Sequence, residues 1–483
     1  MKQNDWKIIY SNYEGMGKRT VDLLSKDVGK YIIRKEGVYT LYVLPCEKER
    51  TDMEIEKNAI VVGLYSESAL IQKYVRADEI KTGGFLVKVI KNPQNEDGRI
   101  VLLTADDERE LFYAVVSFLD DYIPDNTPWH GAVRMQQSIF DEPLNEYAYS
   151  ENAQNKTRSV FTWGHPINDY RAYIDNMARL KLNQLIIWND YMPLNVEEII
   201  DYAHSYGIEV IFGYAWGWKP GFGKNITDIS DKRLQELKAE IIQEYEDNYA
   251  KIGCDGIYFQ SFTENENEYV GGRLIAEAVR VLVNDTGATL LQKYPHLKLQ
   301  FGLHAISVRN HLSEIAKVDR RIEILWEDCG EFPYAYAPIV KDEKAFAETV
   351  EFTKKILTLR GNAPVGLLFK GMMTLDWTRF SRQGGAFVLG ENAPEITAHD
   401  QRMRHYAWKI FSAEWMQYGK YAMEMLKVIK ENALGEVNMC MAGAYDGGIY
   451  LPQALCAQMF RTLDSDYGET LKKVAQRDKV IIG

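Results

Sequence analysis

From residue 159 onward, short apolar runs alternate with amphipathic stretches. The runs lie at residues 159–163, 184–188, 209–214, 256–262, 298–304, 322–326 and 365–369, with a weaker eighth at 385–389. The intervening residues 170–180, 196–206, 231–252, 274–294, 312–316 and 345–359 repeat apolar positions at the three-to-four spacing of helices that bury one face. Repeated βα units over about 240 residues predict a (β/α)8 TIM barrel. A doubly wound open sheet is the rival, weakened in its dinucleotide-binding form because no Gly-x-Gly-x-x-Gly follows any run.

The first stretch of the chain has a different rhythm. Strand-like runs at residues 7–10, 39–44, 59–63, 84–89 and 99–104 precede a helical pattern at 108–122, with Leu111, Val115, Phe118 and Leu119 on one face. This predicts a small α/β domain, and the polar residues 125–157 read as a linker. After residue 397 the pattern turns helical through Trp408, Trp415 and Leu426. The expected fold class is therefore α/β: an N-terminal α/β accessory domain over residues 1–150, a catalytic barrel over 151–400 and a helical C-terminal region over 401–483.

Composition narrows the function. A chain of 483 residues with a net charge of -12 lacks the basic face that phosphate recognition needs, so nucleic acid is not an expected partner. Nor does any run approach the roughly 20 apolar residues of a membrane helix, and no apolar run follows the first lysine as in a secretory signal. The five cysteines, Cys46, Cys254, Cys329, Cys440 and Cys456, are scattered and odd in number. They suit neither a disulfide framework nor a zinc site, and a reducing, cytoplasmic setting is expected.

Barrel active sites are built at the C-terminal ends of the strands, and here those ends are unusual. Trp163 and His165 follow the first run, Trp188 and Asp190 the second, Trp216 and Trp218 the third, Trp326 closes the sixth, and Asp376-Trp377 follow the seventh. An aromatic ring offers a sugar an apolar face to stack on. The same residues can equally be barrel packing, since strands place large side chains in layers. His304 and His165 suit sugar hydroxyls. The alternative, a metal site, would need a spacing such as His-Glu-x-x-His, which is absent, as is the Gly-x-Ser-x-Gly of a serine hydrolase.

Acids supply the second requirement of glycoside cleavage, a proton donor and a carboxylate partner. Glu264 ends the polar tail of the fourth run and is the candidate general acid. Glu327 and Asp328 after the sixth run and Asp376 after the seventh are candidate bases or stabilisers, each with a helix cap as its alternative role. Glu266 and Glu268 read as a solvated loop.

These features resemble the α-glucuronidases and, more distantly, the β-N-acetylhexosaminidases. The segment Thr104-Ala105-Asp106-Asp107-Glu108 with Leu111 to Val115 looks like the end of their accessory domain, and Asp255-Gly256-Ile257-Tyr258-Phe259 through Glu264 like the fourth-strand segment of α-glucuronidases. The resemblance implies Glu264 as general acid, with Asp328 and Asp376 activating water in an inverting reaction. The adjacent acid pair of hexosaminidases is missing, because Thr263-Glu264-Asn265 stands in its place and Glu327-Asp328 lies on another strand.

A uronic acid substrate would need a cation, for which Arg309, Lys370 and Arg379 are candidates, each with an ion-pair role as the alternative. The expectation is thus a hydrolase removing a terminal sugar, a uronic acid among the options, from oligosaccharides. Its catalytic residues would be Glu264, Asp328 and Asp376. Its substrate-binding residues would be Trp163, His165, Trp188, Trp216, His304, Trp326, Lys370 and Trp377. A hexosaminidase-like enzyme, a non-catalytic sugar-binding barrel and an enzyme of phosphorylated sugars, faintly hinted by Gly384-Gly385, are the alternatives. No cofactor or metal and no membrane partner are expected, and a homodimer is an assembly open to the chain.

Overall fold

The computed structural model describes residues 6–29, 44–127, 143–162, 167–189, 191–218, 226–327, 343–369 and 385–482, with 129–130, 133–134 and 140. The chain forms two compact units. The first is Met1–Ala153 with Ser205–Gly207 and Lys472–Val480, and the second is Gln154–His204, Ile208–Leu471 and Ile481–Gly483.

The first unit is a six-stranded sheet in the order Cys46–Lys48, Ile8–Tyr10, Ala59–Leu64, Asn95–Ala105, Gly84–Asn92, Tyr147–Asn152. Its first four strands are parallel and the last two pairings antiparallel. Ile9, Val61, Leu86, Ile100 and Leu102 bury one face of the sheet against Leu70 and Ile71 of the helix Ala69–Tyr74. The helix Glu108–Ser117 starts where Asp107 accepts from the backbone N–H of Glu110 at 2.9 Å. It continues as the π turn Phe118–Tyr122.

Residues 125–157 are not simply a linker, contrary to the expectation for them. Within this stretch, Tyr147–Asn152 is the edge strand of the sheet. Its inward positions are Tyr147, Tyr149 and Glu151 rather than aliphatic residues, so hydropathy concealed it. Tyr147 packs on Tyr122 with ring centroids 5.1 Å apart.

In the second unit, eight parallel strands close a barrel. In chain order they are Thr157–Phe161, Gln184–Trp188, Glu209–Ala215, Gly256–Gln260, Lys298–Leu303, Glu323–Trp326, Val365–Phe369 and Val437–Ala442, and the eighth pairs with the first. Seven are the runs expected from hydropathy. The eighth is not: residues 385–389 form no strand, and closure falls to Val437–Ala442 inside the region expected to be purely helical. The sequence Val-Asn-Met-Cys-Met-Ala holds a single β-branched residue, and it follows two long helices, Pro394–Tyr418 and Lys420–Asn432. Those helices belong to the connection between the seventh and eighth strands. The helix Leu451–Arg461, buried throughout, follows the eighth strand.

Alternation along the strands sorts the interior into layers. At the N-terminal end the polar side chains of Ser159, Gln184, Gln300, Glu323 and Asn438 bond to one another. Gln184 Oε1 accepts from Gln300 at 2.8 Å and from Asn438 at 3.0 Å, while Glu323 Oε1 accepts from Asn438 at 3.0 Å and Gln300 at 3.2 Å. Above them Phe161, Ile186, Ile211, Tyr258, Leu325, Leu368 and Cys440 form an apolar layer. The third layer, at the C-terminal end, is the candidate site.

Candidate active site

The top layer is built from residues in register with those below. Gly256, Tyr258 and Gln260 share one face of the fourth strand, and Glu323, Leu325 and Glu327 continue one face of the sixth. Glu327, the residue after the sixth strand, is therefore carried into the barrel mouth, where its side chain is only 2% exposed.

Glu327 is held by groups from the neighbouring strand ends. Its Oε1 accepts from the Tyr258 hydroxyl and from Gln260 Nε2 at 2.5 Å, and its Oε2 pairs with His304 Nε2 at 2.7 Å. A buried carboxylate survives only when paired and hydrogen-bonded, and these donors come from the fourth and fifth strands. Burial, reinforced by the adjacent Glu327 charge, pushes the Tyr258 hydroxyl well above its ordinary pKa, so it is a fixed donor. Gly302 makes the arrangement possible: a Cβ there would collide with Tyr258 Oη and lie 2.5 Å from Glu327 Oε1.

Beside the cage stands an aromatic wall. Trp188 and Trp218 stack with centroids 6.0 Å apart and planes 16° from parallel, and Trp188 meets Tyr258 edge-on at 5.8 Å. Room for Trp188 again comes from a glycine, since a Cβ on Gly213 would lie 2.5 Å from the indole Cε3.

The tryptophans expected at the third and sixth strand ends lie elsewhere. Trp216 is fully buried with its ring stacked on Phe259, and Trp326 packs at 5.2 Å on Phe352 of the helix Glu343–Thr358. Both sit in the layer between strands and helices. Period-two alternation explains this: Phe259 and Trp326 have the opposite parity to Tyr258 and Glu327. Both rings are thus buried away from the Glu327 cage, apart from the place beside it that Trp188 takes.

Glu264 sits half-buried at the end of a short 3-10 turn, Phe262–Glu264, beyond the fourth strand. Both the N–H and the hydroxyl of Ser307 donate to the carbonyl of Thr263, at 3.0 and 2.9 Å, tying this turn to the loop after the fifth strand. Glu268 is less free than a solvated loop suggests. Asn310, and after it His311, hold its carboxyl below the usual range. Arg309 is exposed, with its guanidinium 5.5 Å from the Phe352 ring centre.

The structure thus brings Trp188 and His304 of the expected residues together with Glu327, one of the candidate bases or stabilisers after the sixth strand. Tyr258 and Gln260 were missed, although strand alternation put them in phase. Trp163, His165, Asp190, Asp328, Lys370, Asp376, Trp377 and Arg379 lie outside the described residues. Among the described residues, no group of three or more His, Cys, Asp or Glu is arranged to hold a metal ion, and no helix is long and apolar enough to cross a membrane.

No protein-family model and no curated protein matches the chain. Solved structures do resemble it. CpGH84B aligns over 98% of this chain and 70% of its own, with a TM-score of 0.51 at 10% identity. CpGH84D aligns over 88% of this chain and 68% of its own, with a TM-score of 0.46 at 14% identity. A GH138 enzyme targeting pectin rhamnogalacturonan II aligns over 96% of this chain and 52% of its own, with a TM-score of 0.45 at 10% identity. At 10% identity the likeness to CpGH84B concerns the fold alone, which agrees with the closed barrel.

Proposed function

We propose that the chain is a glycoside hydrolase acting on a terminal sugar. The observation that carries this reading is the caged Glu327 carboxylate at the C-terminal mouth of a parallel barrel, next to the stacked Trp188 and Trp218. Glycoside cleavage develops positive charge on the sugar ring, and a fixed buried anion stabilises that charge without reorganising. The indoles supply an apolar wall for the C–H face of the ring.

In this reading Glu264, on the rim, protonates the departing oxygen. Both oxygens of Glu327 are engaged by donors, so Glu327 acts as electrostatic stabiliser and not as attacking group. Activation of water falls to Asp328 or Asp376, the acids that the sequence resemblance implies. A uronic acid is the favoured sugar by that resemblance, with Arg309, Lys370 or Arg379 as its cation. An oligosaccharide as substrate and a cytoplasmic setting belong to the same proposal. The engagement of Glu327 by its neighbours also favours a second reading, a barrel that binds sugars without cleaving them.

The test is a panel of 4-nitrophenyl glycosides and glucuronoxylo-oligosaccharides assayed with wild type, Glu264→Gln and Glu327→Gln. Turnover by the wild type is expected, with its loss in Glu327→Gln on every substrate and in Glu264→Gln on the oligosaccharides, whose leaving groups need a proton. Sugar binding without turnover over long incubation supports the second reading instead.

A further inference from the structure

Gln260 closes the fourth barrel strand and is 2% exposed. Its Nε2 lies 2.5 Å from Glu327 Oε1 and 3.4 Å from Tyr258 Oη. A carboxylate accepts and never donates, so the amide nitrogen must face Glu327 and the amide oxygen must face away. No group of the described residues reaches that oxygen. A buried carbonyl left without a donor forfeits the hydrogen bonds it had in water, so it is a standing demand for a donor in the mouth of the barrel.

We propose that Gln260 is a specificity-determining residue whose Oε1 accepts a hydrogen bond from one hydroxyl of the bound sugar. This rests on the sugar-cleaving reading above and names which group reads the ring. Glu327 acts here as the positioning residue: by binding Nε2 it fixes which way the amide points. A pocket built around a buried acceptor discriminates strongly against an analogue lacking the matching hydroxyl, because the acceptor is then stranded.

The experiment uses the full chain, as wild type and as Gln260→Met, which keeps the length of the side chain and removes both polar atoms. The probes are the 4-nitrophenyl glycosides of glucose, N-acetylglucosamine and glucuronic acid. The best-bound of these is re-examined as the set of monodeoxy forms. Binding is followed by tryptophan fluorescence and cleavage by nitrophenol release. In the wild type, one deoxy position should weaken binding about 10- to 100-fold. Gln260→Met should bind the parent weakly and be indifferent to that same deletion.

A wild type indifferent to every deletion overturns the proposal, and so does a Gln260→Met protein that keeps the full penalty. The wild-type series stands whether or not the variant folds. Binding without nitrophenol release removes the hydrolase reading while the hydroxyl dependence still decides for or against Gln260. Cleavage with no hydroxyl dependence removes Gln260 alone, and neither binding nor cleavage removes both.

Discussion

The Tyr258 hydroxyl and the Glu327 carboxylate bond across an intervening strand, and they reach each other because that strand carries Gly302 at their level. Gly302→Ala places a methyl group on both partners. The expected outcome is a barrel destabilised by about 1–3 kcal/mol with loss of any sugar turnover, read by urea unfolding and by assay. Unchanged stability would show that the cage is looser than its contacts imply.

Removing the charge at the centre of the cage should matter more. Glu327→Ala strips His304, Tyr258 and Gln260 of their shared acceptor. Breaking such a buried set by deleting one member costs about 3–5 kcal/mol. Because the pair is buried, added salt should scarcely change the difference between wild type and variant. A strong salt dependence in denaturant melts would point to an exposed pair.

Glu264→Gln should lower turnover about 10²- to 10⁴-fold on glycosides with poor leaving groups. A 4-nitrophenyl leaving group needs little protonation, so its cleavage should fall far less. An equal fall for both classes would assign Glu264 a role other than proton donation.

Glu323, in the polar layer at the opposite end of the barrel, gives a pH prediction. Burial pushes its carboxyl up from its ordinary value of 4.5 to about 7, against the opposing hydrogen bond from Asn438. Lys298 and Arg360 also oppose the rise, and Glu209 adds to it. The folded state therefore holds a proton that the unfolded state releases earlier. Stability from this group is intact below about pH 4.5 and declines as the pH rises through about 7, by up to roughly 3 kcal/mol. Glu323→Gln keeps an acceptor for Asn438 and Gln300 without the charge. Its melting temperature should lose this downward slope between pH 5 and 8, and a variant with the wild-type slope would refute the assignment.

The tryptophans should divide by layer. Trp188→Phe is expected to raise KM for a glycoside, whereas Trp326→Phe should leave KM alone and act only on thermal stability. A rise in KM for Trp326→Phe would contradict its place against Phe352.

Much of the barrel was legible because seven of its strands are short apolar runs buried on both sides, and such runs stand out from amphipathic helices. Val437–Ala442 was not legible, since methionine, cysteine and asparagine carry little strand preference and the long helices before it masked the βα rhythm. Tyr147–Asn152 was lost for a related reason: its inward side chains are tyrosines and an acid, which hydropathy scores as polar.

At the candidate site, sequence by itself determined that acids and indoles gather after the strands, because chain position alone assigns a residue to the C-terminal end of a barrel strand. It also set the parity of each side chain, through the two-residue repeat of a strand. Which of these groups meet was decided only by closure of the barrel. Closure brought Glu327 against Tyr258, Gln260 and His304 from other strands, and it sent Trp216 outward onto Phe259 and Trp326 onto Phe352. Such contacts depend on the register and tilt of neighbouring strands, and on a Gly302 or Gly213 that leaves space, none of which is encoded in the spacing of residues along one run.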